Sequence, residues 1–258
     1  MKILNHFKYK KKKVTTLKLK RKEYDKFISK LPEHYTYSYI KEEDIVEHKK
    51  DFGSTPQEIH NEYIPDDPKL MSGEFGEILT QQLLIELYEK KGLNLEGMKK
   101  TLHKEAKNVA NHGTDIVLFY KKEQDASDED ILISGEVKSK ATPNKDSSIV
   151  KAVDGVEKDN INRLAETLIW IRRKYKEERN HDGYKNVQRF IDPVKTKTYK
   201  KHFKAIAVID KNFKGGEVAP KKLPKIGDDF EILVVLIDEL KSTYQKTLAD
   251  TLNCIENV

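Results

Sequence analysis

The sequence predicts an α/β fold, a mixed central sheet sandwiched by helices. Three observations predict it. Two short apolar runs, "DIVLFY" (115–120) and "ILISGEV" (131–137), flank a polar segment of hairpin length. Two later runs, "KAIAVID" (204–210) and "EILVVLID" (231–238), are almost continuously apolar, as strands covered on both faces are. Helical periodicity brackets these pairs. The order is helix, hairpin, helix, strand, loop, strand, helix, which layers into an α/β sandwich.

Residues 1–70 read as an irregular basic extension. "FKYKKKKVTTLKLKRKEYDKF" interleaves lysines with aromatics, so it suits either an arm touching phosphates or a solvated terminus. "STPQEIHNEYIPDDPKLMSG" is rich in Pro, Asp and Gly and reads as a connector, which sets a boundary near residue 70 and a domain over 71–258. "SGEFGEILTQQLLIELYEKKGL" is a helix. Ser72 is placed to cap it, Phe75, Ile78, Leu79, Leu83, Ile85 and Leu87 form its buried stripe, and Gly92 ends it. After the hairpin a second helix spans about 149–178 and carries Trp170, the only tryptophan. Residues 179–204 read as a polar loop. A last helix covers about 240–252.

The length, 258 residues, suits one large domain or a domain plus an extension. A formal net charge of +6 favours an anionic partner, most simply nucleic acid. The near balance of 49 basic and 43 acidic residues equally describes a soluble Lys/Glu-rich surface. Cys254, the only cysteine, excludes a disulfide framework and a structural zinc site, and a cytoplasmic setting follows. The start lacks an apolar signal core, and no run approaches the ~18 residues of a membrane span.

The hairpin can be worked as geometry. With 121–130 as the loop, its midpoint lies between Asp125 and Ala126, so residue i faces residue 251 − i. Asp115 then faces Glu136, with Cβ atoms roughly 5 Å apart on one side of the sheet. Lys138 shares that face and Val137 points away. Two such carboxylates repel unless a proton or cation lies between them. Oxygen ligands with no His or Cys nearby point to Mg²⁺ or Mn²⁺. A metal held by two carboxylates beside an ammonium suits phosphodiester hydrolysis. The plain alternative is a cross-strand salt bridge.

Acidic-x-Lys also occurs at Glu47, Asp67, Glu89, Glu105 and Glu239, without a paired acidic strand before it. The nearest rival site is Asp210 with Asp238, Glu239 and Lys241, which end the two late strands. His103, His112, His181 and His202 are dispersed and form no zinc-protease pair. His112, three residues before Asp115, is a candidate phosphate contact or a plain loop histidine. "FKGGEVAP" lacks the context of a nucleotide-binding loop, so any ATP hydrolysis falls to a partner. "RRKYKEERNHDGYKNVQRF" and "KTKTYKKHFK" offer DNA-backbone contacts or a partner surface.

The order helix, hairpin with Asp…Glu-x-Lys, helix resembles the PD-(D/E)xK nuclease superfamily over about 72–252. The resemblance implies a restriction-endonuclease-like core. It implies Asp115 and Glu136 as metal ligands, Lys138 as the catalytic lysine, and a metal contact from the Val137 carbonyl. It further implies a glutamate on the first helix. Glu74 and Glu77 compete there, and Glu77 is favoured by its spacing before Leu83 and Leu84. A helix N-terminus also attracts acidic residues through its dipole alone. Thr114 stands where the superfamily motif has proline.

"GEFGEIL", "GTDIVLFY", "GEVKSK" and "KAIAVID…EILVVLIDEL" together resemble the HamA family, nuclease subunits of the Hachiman anti-phage defence system. That resemblance implies a Mg- or Mn-dependent DNA nuclease working with a HamB-like helicase in antiviral defence. The alternatives are a stand-alone restriction or repair endonuclease, and a non-cleaving DNA-binding module derived from a nuclease.

Overall fold

The computed structural model describes residues 2–111, 113–192, 198–220 and 222–258. In chain order come β1 (Phe7–Lys10), β2 (Thr15–Leu19), α1 (Tyr24–Ile28), α2 (Leu31–Tyr39), α3 (Glu42–Asp51), α4 (Pro56–Tyr63) and α5 (Pro68–Glu89). The hairpin β3 (Ile116–Tyr120) and β4 (Ile131–Lys140) follows, then α6 (Ser148–Lys158), α7 (Leu164–Glu177), α8 (His181–Ile191), β5 (Lys200–Asp210), β6 (Asp229–Ile237) and α9 (Leu240–Glu256). One mixed sheet runs in the order β1-β2-β6-β5-β4-β3. The strands from β2 to β4 are parallel neighbours, and an antiparallel partner closes each edge.

Alternation along each strand feeds two apolar layers. On one face Phe75, Leu79 and Leu83 of α5 pack on Ile133, Val137, Ile206 and Val235. On the other face Ile149, Val153, Leu168 and Phe190 pack on Leu132, Ala205, Ala207 and Leu236. The layered α/β architecture is the one the sequence predicts. Among the described residues no helix is long and apolar enough to cross a membrane.

Five expectations are corrected. Residues 1–70 are not an irregular extension: β1 and β2 join the sheet, and Leu17, Leu19, Phe27, Leu31 and Tyr35 share one core with Phe75 and Leu79. Thr15, Leu17 and Leu19 point inward while the intervening lysine points out, so the basic composition masks a strand. The first long helix begins at Pro68, not Ser72. Asp67 caps it, its Oδ1 accepting from Lys69 N at 3.0 Å and Leu70 N at 2.9 Å, and proline suits the first helical position.

The second long helix is interrupted by a π-helical turn, Asp159–Arg163, between α6 and α7. The expected loop after it holds α8. Asn180 caps α8 by accepting from Gly183 N at 2.8 Å, and Val187 and Phe190 are buried three residues apart. Dense charge hides that spacing. The last helix continues to Glu256, beyond the expected end.

Gly76 sets how closely α5 lies on β4. A Cβ there would collide with Ser139 Oγ and stand 3.2 Å from Val137 Cγ1. This close approach brings the first turns of α5 to the open end of the hairpin.

Candidate active site

The β3–β4 ladder runs from Ile116↔Gly135 to Tyr120↔Ile131. Each pair sums to 251, the register counted from the sequence. Arg189 of α8 fastens the loop end, donating to the carbonyls of Glu123 at 3.2 Å and Asp125 at 3.1 Å and to Asp130 Oδ2 at 3.1 Å. A helix that sequence reasoning missed therefore holds the hairpin in register.

Asp115 stands one residue before β3, and its Oδ2 accepts from Val137 N at 2.8 Å. The N–H and C=O of an extended residue share one side of the strand, so the Val137 carbonyl turns the same way. The Val137 side chain lies in the α5-side core.

Glu136 is only 2% exposed. Its Oε1 accepts from Lys138 Nζ at 2.5 Å and its Oε2 from Arg163 Nη2 at 2.5 Å. Gly155 of α6 makes room for this carboxylate, because a Cβ there would stand 2.5 Å from Glu136 Cγ, Cδ and Oε1. The Gly155 carbonyl accepts from Arg163 Nη2 at 2.8 Å. Arg163 Nε donates to Asp159, and Asp159 also accepts from Thr114 Oγ1 and Ser134 Oγ, each at 2.9 Å. The π turn carries both Asp159 and Arg163, and such turns recur at functional sites.

The two helix glutamates part company here. Glu74 is buried, accepting from Lys104 Nζ at 2.7 Å and Tyr39 OH at 2.9 Å. Among the described residues the Glu77 carboxylate makes no hydrogen bond or ion pair, and it faces the Asp115 charge. Burial, then the Asp115 carboxylate, pushes the Glu77 carboxyl up to about 8, with Lys100 opposing. Burial, then Glu136, pushes Asp115 up to about 6, with Lys138 and the Val137 N–H opposing. Burial lowers the Lys138 ammonium, but Asp115, Glu136 and Glu77 together outweigh it and raise its pKa. Burial holds Lys100 below its usual value, and its Nζ donates to Thr114 O at 2.7 Å.

Glu77, Asp115, Glu136 and Lys138 are therefore neighbours. Among the described residues no group of three or more His, Cys, Asp or Glu side chains forms a ready-made metal cage. The donor set nonetheless suits a hard divalent cation. It is oxygen only, and burial and like charge push two of its carboxylates towards protonation.

The rival site is structural. Asp210 Oδ1 accepts from Asn212 N at 2.9 Å and Oδ2 from Leu240 N at 2.7 Å, and Asp238 pairs with Lys211. His112 lies outside the described residues, as does 195–197 of the second basic stretch. The lysine-rich β1 lies at the opposite edge of the sheet from β3. Sequence reasoning missed Lys100, Gly155, Asp159 and Arg163. The Asp159/Arg163 spacing of four was visible, but it looks like an ordinary surface helix pair.

Compared with known protein families, the chain matches the family model described as HamA over residues 3–255. No curated protein matches it.

Proposed function

The chain belongs to the HamA family, and from that premise we propose that it is the metal-dependent DNA nuclease subunit of a Hachiman anti-phage defence system, with a PD-(D/E)xK-type site. The observation that carries this reading is the gathering of Glu77, Asp115 and Glu136 beside the Lys138 ammonium at the open end of the hairpin. Three carboxylates so close together at a partly buried site suit a divalent cation between them. Asp115, Glu136 and Glu77 would hold Mg²⁺ or Mn²⁺, with the Val137 carbonyl turned the same way. When bound, that ion would neutralise a phosphate oxygen and lower the pKa of a water.

The protein's own groups do the rest. Lys138, its side chain 37% exposed, orients the attacking water through Nζ and offsets charge developing on the phosphate. Arg163 and Gly155 keep the Glu136 carboxylate at one position. A helicase partner of the HamB kind would supply the ATP-driven work, since the sequence has no nucleotide-binding loop of its own. DNA is the proposed substrate and the cytoplasm the proposed setting.

The test incubates the protein, alone and with its cognate helicase, with linear and circular DNA and Mg²⁺. Cleavage is expected, and Glu136→Ala and Lys138→Ala are expected to abolish it. Cleavage persisting in both variants overturns the site. Discrete plasmid bands without the helicase would favour a stand-alone endonuclease. No cleavage in either setting would favour a DNA-binding module, in which Lys138 and Arg163 simply neutralise Glu136.

A further inference from the structure

No acidic residue precedes Glu23, while the first 22 residues hold nine lysines and one arginine. The fold sorts much of this charge onto one surface. Phe7, Leu17 and Leu19 turn into the core they share with Phe27. Successive side chains of a strand point to opposite faces, so Lys8 and Lys10 of β1 and Thr16 and Lys18 of β2 turn the other way. These three lysines are exposed, and so are Lys11 and Lys12 at the turn between the strands. None of the five makes an ion pair with a described residue. The neighbouring strand β6 continues their face with Val234 and Leu236, which bring no carboxylate to it.

This arrangement works against the free protein. Lys8 stands directly opposite Lys18, and like charges so placed repel. Lysine on an edge strand deters pairing with another chain, which accounts for Lys8 and Lys10. It does not account for Lys18, because β2 is paired on both sides. A polyanion laid across the face relieves the repulsion.

The side chains also select the polyanion. Protein interfaces are depleted of lysine and anchored by aromatic residues and arginine, and Lys8, Lys10, Thr16 and Lys18 supply no such anchor. A single strand is held largely by bases stacked on aromatic rings, but Tyr9 of β1 turns to the opposite face with Phe7. Lysines alone suit the phosphates of a duplex, which carry no sequence information of their own.

We propose that the β1–β2 face is a sequence-independent grip on the phosphate backbone of duplex DNA, separate from the carboxylate site. The ladder locates it. Lys10 lies on the same row across the sheet as Lys138, and Lys8 and Lys18 lie on the row of Lys140. Four strand spacings separate β1 from β4, roughly 19 Å, and the twist turns the face by roughly 80–100° over that span. Such a separation is about six base pairs of duplex, so the grip steadies flanking DNA and leaves the reacting phosphate to the carboxylates. The proposal goes beyond the nuclease reading, because a protein that only bound DNA would use the same face.

The full chain is titrated by anisotropy with a labelled duplex of arbitrary sequence, with EDTA present to prevent cutting, over a series of salt concentrations. The triple variant Lys8→Gln, Lys10→Gln, Lys18→Gln is expected to bind at least about tenfold more weakly, and to flatten the slope of log affinity against log salt by about 2–3, since each phosphate contact contributes about 0.9. A charge-matched control, Lys30→Gln, Lys90→Gln, Lys241→Gln, removes three exposed lysines elsewhere and should stay within about threefold of the parent with its slope unchanged. Lys18→Glu gives Lys8 a partner across the ladder, so its thermal melt should equal or exceed the parent's while its binding falls below that of Lys18→Gln. Equal losses in the two triple variants, or an unchanged slope in the first, overturn the proposal. A first triple variant that binds duplex as the parent does but no longer assembles with the helicase also overturns it, and gives the face to a protein partner. Binding that depends on these lysines in a protein that never cuts with Mg²⁺ supports the grip and sinks the nuclease reading. Cutting by a protein whose binding ignores them does the reverse.

Discussion

A Cβ on Gly155 would stand 2.5 Å from Glu136 Oε1, so the helix backbone lies directly against the carboxylate. Glu136 cannot retreat from its two cations, and α6 cannot accept a side chain at this position. The contact gives a substitution that separates site geometry from fold stability.

Gly155→Ala should gain up to about 1 kcal/mol of helix propensity and lose a similar or larger amount to overlap. The melting temperature should therefore stay within a few degrees of the parent. Nuclease activity should fall at least tenfold, because the displaced carboxylate no longer meets Lys138. Full activity in Gly155→Ala would mean that the position of Glu136 is irrelevant to the chemistry.

Arg163 neutralises Glu136 and Asp159 together, and both carboxylates are buried. Arg163→Ala leaves buried Asp159 without its cation and buried Glu136 with Lys138 alone. Breaking such a pair costs 3–5 kcal/mol in a fully buried setting, and Arg163 is 27% exposed, so about 3 kcal/mol is expected. Arg163→Lys keeps the charge but cannot reach Glu136, Asp159 and the Gly155 carbonyl with one planar fork, so it should recover only part. Urea unfolding of the two variants checks this. Equal stability for Arg163→Ala and the parent would remove Arg163 from the account.

The raised carboxyls give a pH dependence with a definite sign. Glu77 sits at about 8 and Asp115 at about 6, both above their unfolded values. Their protonated forms favour the fold, so their contribution is complete at low pH and is lost as pH rises through about 6 and then about 8. A divalent ion binds the ionised forms and opposes that loss. Melting temperatures measured with and without Mg²⁺ should differ little at pH 5.5 and clearly at pH 8.5. Glu77→Gln should shrink the difference at pH 8.5. An Mg²⁺ effect independent of pH would argue against these carboxylates as its ligands.

Part of this site was legible in the sequence for a simple reason. A hairpin with a short polar loop fixes its register by counting, so Asp115, Glu136 and Lys138 could be set on one face. Glu77 came from the resemblance to the nuclease superfamily, which implies a glutamate on the first helix, and its spacing before Leu83 and Leu84 chose it over Glu74. Arg163 and Gly155 could not be read, because their roles arise where α6, the π turn and β4 meet in space. The strand β2 was hidden for a different reason. Its inward set, Thr15, Leu17 and Leu19, alternates with Thr16 and Lys18 in a segment whose overall charge reads as solvated. The helix α8 was lost to the same masking.

The choice between Glu74 and Glu77 can be settled by stability as well as by activity. Glu74 pairs with Lys104, whose side chain is 5% exposed, and also accepts from Tyr39 OH. Burial raises the Glu74 carboxyl, but Lys104 and Tyr39 oppose that rise, so removing Glu74 strands a buried ammonium. Glu74→Ala should cost about 3–5 kcal/mol, as loss of one partner of a buried pair does. Glu77 has no such partner and stands among like charges. Glu77→Gln removes repulsion, so it should leave stability at neutral pH equal or higher while abolishing Mg²⁺-dependent cleavage. Chemical denaturation and a cleavage assay on the same two proteins give the answer. A Glu77→Gln protein that unfolds early, or a Glu74→Ala protein that is stable but inactive, would reverse the two roles.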